Sequence, residues 1–115
     1  MFAAGVFLAM ALSTPGRAES PDISAQRLLA SWQKGDPGMK MLAEVIATAF
    51  ASGMSWAGMI QGHPVYCPPS AAALTGKQIM TILDTYVAEH PDAADRTYGF
   101  ALSASLSRAF PCGPG

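Results

Sequence analysis

From residue 28 onward the apolar positions recur at three- and four-residue intervals, the spacing that lines one face of an α-helix. Leu28, Leu29 and Trp32 form the first group. Ser20-Pro21 precedes it, a capping side chain followed by the proline that the first helical position tolerates, and Gly35 closes it. A short helix over 21–34 is expected. Asp36-Pro37 repeats the start signal at once, and Met39, Leu42, Ala43, Ile46, Phe50, Gly53, Ala57 and Ile60 keep the spacing as far as Gln61. This second helix is long, and its apolar stripe is expected to face the core. The small residues Ala47, Ala51, Gly53, Ala57 and Gly58 would let a neighbouring helix come close, although each glycine costs about 1 kcal/mol of helix propensity relative to alanine.

Gly62 ends that pattern, and the stretch from His63 to Pro69 cannot continue it, because Pro64, Pro68 and Pro69 hold their predecessors extended. This is a connecting arm. Thr75-Gly76-Lys77-Gln78 then has the form of a capping box, in which the Thr75 hydroxyl and the Gln78 side chain each satisfy the other's backbone amide. Ile79, Ile82, Leu83, Tyr86 and Val87 continue a third helix to His90 before Pro91. A fourth, capped by Asp92 or Asp95, carries Tyr98, Ala101, Leu102, Leu106, Ala109 and Phe110 and stops at Pro111. The pattern predicts an all-α fold, a small single-domain bundle of about four helices. No internal repeat or low-complexity tract interrupts it.

Composition narrows this further. Alanine is abundant and β-branched runs are absent, which favours helix over sheet. The formal net charge is −1, with no basic stripe for nucleic acid and no acidic tail, so partners are recognised by shape and local chemistry. Phe2 to Leu12 is apolar, Ser13-Thr14-Pro15 breaks it, and Gly16-Arg17-Ala18 is a small-x-small cleavage site. Residues 1–18 therefore read as a secretory signal peptide, too short to span a bilayer, which takes about 20 residues. The remaining 19–115 form the helical domain, exported once the signal is cut. The positive flank usual for such a signal is missing, which leaves an upstream start or a weak signal. The competing reading, a buried N-terminal helix, is less favoured because the apolar run has no polar face for water.

The chain has two cysteines, each at a proline-marked boundary: Tyr66-Cys67-Pro68-Pro69 before the third helix and Phe110-Pro111-Cys112 after the fourth. An exported chain meets an oxidising compartment, so a Cys67–Cys112 disulfide is expected to close the bundle.

Reaction chemistry is hard to assemble from the remaining side chains. His63 lies four residues before Cys67, but two ligands on a proline-rich arm are too few for zinc, and an oxidised cysteine cannot ligate. His90 reads as a helix terminus. Ser103, Ser105 and Ser107, like Thr48, Ser52 and Ser55, stand beside no marked base, and the spacings of Asp84 with Glu89 and of Asp92 with Asp95 suit a solvated face and a cap. No catalytic residue, metal or cofactor is assigned, and the chain is not expected to be an enzyme. Trp32 and Trp56, with Met39, Met41, Met54 and Met59, are expected mainly in the core, with a binding surface as the second use of such side chains.

The ordered set Gly53-Met54-Ser55-Trp56-Ala57, Val65-Tyr66-Cys67-Pro68-Pro69, Leu74-Thr75-Gly76-Lys77-Gln78, Tyr86-Val87-Ala88-Glu89-His90-Pro91 and Ala109-Phe110-Pro111-Cys112 resembles the Rap1a/Tai immunity protein family over about residues 40–112. The resemblance implies a small, exported, all-helical protein of the bacterial periplasm that neutralises an effector delivered by a type VI secretion system, often a cell-wall amidase. Ser55 and Trp56 stand where some members carry a further cysteine. The expected partners are a cognate secreted effector and a second copy of the chain, with no nucleic acid and no membrane beyond the signal peptide. The competing functions are a periplasmic helical chaperone or acid-stress protein, and a secreted accessory protein without a toxin partner. The arm is the candidate docking element, with His63, Tyr66 and Trp56 as its contact residues: its prolines fix the backbone and Tyr66 offers an aromatic tip. The alternative for Tyr66 is a plug between the long helix and the disulfide.

Overall fold

The computed structural model describes residues 23–68 and 74–113. The predicted signal peptide and the predicted start at Ser20-Pro21 lie outside these residues. Four α-helices follow in order: α1 (Ala25–Lys34), α2 (Pro37–Gln61), α3 (Gly76–Glu89) and α4 (Tyr98–Ala109), with a 3₁₀ turn at Pro91–Asp95 between the last two. Among the described residues there is no strand, only an isolated antiparallel bridge between Ser24 and Thr97. It ties the starts of α1 and α4 together through Tyr98 N–H to Ile23 O and Ala25 N–H to Arg96 O, both 2.8 Å.

Each helix start has a local cause. Ser24 accepts from the Arg27 amide, Asp36 from Met39 and Thr75 from Gln78, and the capping box is complete, since the Thr75 amide donates to Gln78 Oε1 at 2.8 Å. Two boundaries differ from expectation. Helix α1 is capped by Ser24 rather than Ser20, because the bridge to Thr97 holds Ser24 extended. Helix α4 is capped by Thr97, not Asp92 or Asp95. Those two aspartates belong to the 3₁₀ turn, which buries Ala93 and cannot run straight into α4.

The core lies between the four helices, built from Leu28, Leu29 and Trp32 of α1, Ile79, Met80 and Leu83 of α3, and Ala101, Leu102 and Leu106 of α4. The α2 contribution is small side chains. Ala43, Ala47 and Ala51 succeed one another at four-residue steps, continued by Met54 and Gly58. Small residues let the neighbouring helices approach the α2 backbone, and that closeness excludes the larger stripe predicted from the sequence. Of that stripe, Ile46 and Phe50 are half-buried, whereas Met39, Leu42 and Ile60 face solvent. The expectation that the tryptophans and methionines are mainly core is corrected in the same way: Trp32 and Met54 are buried, but Met39, Met41, Trp56 and Met59 are exposed.

Trp32 joins α1 to α2 by polar contacts as well as packing. Its indole N–H donates to Glu44 Oε2 at 2.8 Å, and Lys40 Nζ lies 4.7 Å from the ring centroid. Lys40 and Glu44 are the charged residues of α2, and both are turned toward α1. Buried Ser105 is satisfied within α4, donating to Leu102 O at 3.1 Å.

Candidate partner-binding surface

The arm after α2 is built by two glycines. Gly62 takes a left-handed conformation, φ +78°, which turns the chain sharply at the helix end, and its amide donates to Gly58 O. At Gly58 itself a Cβ would sit 2.8 Å from Pro64 Cα, so only glycine lets the arm fold back against the helix.

From there the arm is pinned at successive residues. The Ser107 hydroxyl donates to Val65 O at 2.9 Å, and the Cys67 amide donates to Phe110 O at 2.8 Å. Cys67 is bonded to Cys112, with Cα atoms 5.0 Å apart, which fixes the arm to the end of α4.

Tyr66 lies between these anchors and is only 7% exposed. Of the two roles open to this residue, the exposed tip is not formed and the plug, the favoured one, is. The ring packs where the alanine stripe leaves room, its hydroxyl donates to Ala51 O at 3.3 Å, and Ser55 Oγ stands 3.2 Å away. A tyrosine that reaches a backbone carbonyl buries its ring without stranding its hydroxyl. Tyr66 is the plug, while His63, Pro64, Val65, Cys67 and Pro68 on either side of it face solvent.

Trp56 is 63% exposed on the adjoining turn of α2. Between α2 and the arm the surface forms an open groove of about 470 Å³, bounded by Ser55, Met59, Pro64, Val65 and Pro68. A second hollow of about 290 Å³ continues past Trp56 toward Leu74. Neither is lined by a charged residue. Of the three residues proposed for contact, Tyr66 forms the floor of the groove and Trp56 lines the adjoining hollow, while His63 is exposed on the arm and lines neither.

Several of the remaining candidates are occupied with structural bonds. Ser103 donates to Gly99 O and Thr48 to Glu44 O, both at 2.8 Å, and Asp84 accepts from Gln33. His90 stacks on Tyr86 with ring centroids 4.4 Å apart, and its Nδ1 lies 3.1 Å from Tyr86 O, a contact that requires the proton on Nδ1. Among the described residues no group of three or more His, Cys, Asp or Glu side chains is placed to hold a metal ion, and no helix is long and apolar enough to cross a membrane.

The sequence reading passed over Val45 and set Leu42 and Ile60 in the core-facing stripe; with Met41 they are large apolar residues that α2 leaves in solvent. The signal was present as a second periodic stripe on α2, masked because nearly every position of that helix is uncharged. Comparison with known proteins adds no family to this geometry: no protein-family model, no curated protein and no solved structure matches the chain.

Proposed function

We propose that this chain acts by binding, as a periplasmic immunity protein that neutralises a type VI secretion effector such as a cell-wall amidase. The observation that supports it is the arm. A segment held by a disulfide, two backbone-directed hydrogen bonds and a buried tyrosine presents Val65 in a fixed geometry on an uncharged groove, with His63 exposed at the start of the arm. Such a segment has little conformational freedom left to lose on docking, which is what an inhibitor of another protein's cleft requires. The motif resemblance supplies the class of partner, and a helical scaffold in which Glu44, Asp84, Ser103, Ser105 and Ser107 serve structural bonds suits a binder better than a catalyst.

The test is protection. His63→Ala and Val65→Ala should each weaken binding to the effector encoded beside this chain, by about 1–2 kcal/mol where the residue is a docking anchor, with melting temperature unchanged. Full protection by both variants would remove the arm as the docking element. Failure of the native chain to bind that effector at all would remove the immunity reading. Suppression of aggregation of unrelated unfolded proteins at acidic pH, in place of one tight complex, would replace it by the chaperone reading.

A further inference from the structure

The fold sorts the methionines of the described residues sharply by access to solvent. Met80 is fully buried in the core, and Met54 is 8% exposed, with Ser103 Oγ packed 3.7 Å from its sulfur. Met41 and Met59 stand on α2 at 66% and 70% exposure, and Met39 falls between the two groups. A thioether in water keeps its sulfur open to an electrophilic oxidant, whereas a packed one is screened by its neighbours. Access is thus a chemical difference. Met41 and Met59 also differ from each other in what surrounds them: Met41 borders a hollow beside Glu44 and Gly76, while Met59 lines the groove of the arm together with Pro64, Val65 and Pro68.

That groove has no side-chain donor to offer a new oxygen on its wall. Its hydroxyls are those of Ser55 and Tyr66; the Tyr66 proton goes to Ala51 O, and Ser55 Oγ, 3.2 Å from the Tyr66 oxygen, spends its own proton there. Pro64 and Pro68 carry no amide proton at all. A sulfoxide oxygen on Met59 therefore binds water in the free protein and loses that water beneath a docked partner, with nothing in the groove to replace it.

We infer that Met59 is an oxidative modification site whose co-substrate is a peroxide, and that the sulfoxide formed there closes the groove to its partner. The second half rests on the reading of arm and groove as the docking surface; the first does not. In the reaction a sulfur lone pair attacks one oxygen of hydrogen peroxide, the S–O bond forms as the O–O bond breaks, and the departing hydroxide takes the proton of the transferred hydroxyl to leave as water. Sulfur is oxidised by two electrons and the peroxide is reduced by two. Methionine sulfoxide reductases reverse the change, so the groove can be reopened.

Treatment of the purified, disulfide-intact chain with hydrogen peroxide, stopped by catalase and mapped by peptide mass spectrometry, tests the site. Met59 and Met41 should oxidise at rates close to that of methionine in an unstructured peptide, with Met54 and Met80 slower by about tenfold or more. Oxidation of Met59 no faster than that of Met54 overturns the assignment. Affinity for the effector encoded beside this chain, measured by calorimetry before and after oxidation, tests the consequence. It should fall by about tenfold or more, as expected of a buried acceptor left unpaired, and recover after incubation with methionine sulfoxide reductases. Met59→Leu should bind normally and lose the sensitivity to peroxide, Met41→Leu should keep it, and Met59→Gln should bind weakly without any oxidant. All three positions are exposed, so melting temperature should hold throughout. Undiminished affinity once Met59 is fully oxidised, or an equal loss in the oxidised M59L chain, overturns the closing of the groove. An unoxidised native chain that binds no effector removes the immunity reading and the docking consequence with it, while the oxidation map still decides whether Met59 is the site.

Discussion

Tyr66 does at residue scale what a larger protein would do with a layer of core. Its ring fills the space left by the alanine stripe of α2 and its hydroxyl satisfies a carbonyl there, so one side chain joins the arm to the longest helix. Tyr66→Phe keeps the ring and loses the hydrogen bond, and should lower unfolding free energy in urea by about 1 kcal/mol. Tyr66→Ala should cost about 3–5 kcal/mol by leaving a cavity. A loss of equal size in the two variants would mean that the hydroxyl, not the ring, carries the contact. Nothing in the sequence around Tyr66 distinguished plug from tip. An aromatic residue between prolines suits either role, and the choice depends on whether a helix of small residues passes beneath it.

At the scale of elements, helix starts and helix faces were legible to different degrees. The capping box at Thr75 and the caps at Asp36-Pro37 form as the local sequence implies, because a cap involves residues three positions apart and needs no distant partner. Thr75→Ala should destabilise the fold by about 1 kcal/mol, measured by the midpoint of denaturant unfolding at constant m. The face of α2 was less legible. The helix has apolar residues nearly all round, and the buried side was decided by which stripe lets α1, α3 and α4 approach most closely. Ala47 is 0% exposed at the centre of that stripe, so Ala47→Leu should overpack it and cost about 1–3 kcal/mol, whereas Ala49→Leu on the opposite side should be nearly neutral. Equal effects at the two positions would contradict the assignment of faces.

For the whole molecule the decisive link is the bond between Cys67 and Cys112, which closes a segment with a sequence separation of 45. A loop of that length restricts the unfolded chain by about 4 kcal/mol in the chain-entropy account, a large share of the 5–15 kcal/mol that stabilises a typical domain. Titration of the denatured, unreduced protein should find no reactive thiol. Replacement of both cysteines by serine should lower stability by about 2–4 kcal/mol. Recovery of free thiols from the native protein would sever the link between the arm and α4 on which the proposed docking surface depends.

The helical class, the number of helices, the long second helix, the capping box and the pairing of the cysteines were determined by the sequence alone. Each rests on interactions between near neighbours or, for the disulfide, on a pair with no competing partner. The start of α4 at Thr97, the start of α1 at Ser24, the burial of Tyr66 and the exposure of Trp56 and Met59 were decided only by the tertiary structure. Each of these depends on what another element brings to the same place: a backbone bridge between Ser24 and Thr97, an alanine floor under the arm, and a second apolar stripe on α2 that none of the described helices covers. Periodicity states that a helix has an apolar face. When it has two, only the packing of the other helices decides which one meets the core and which stays outside it.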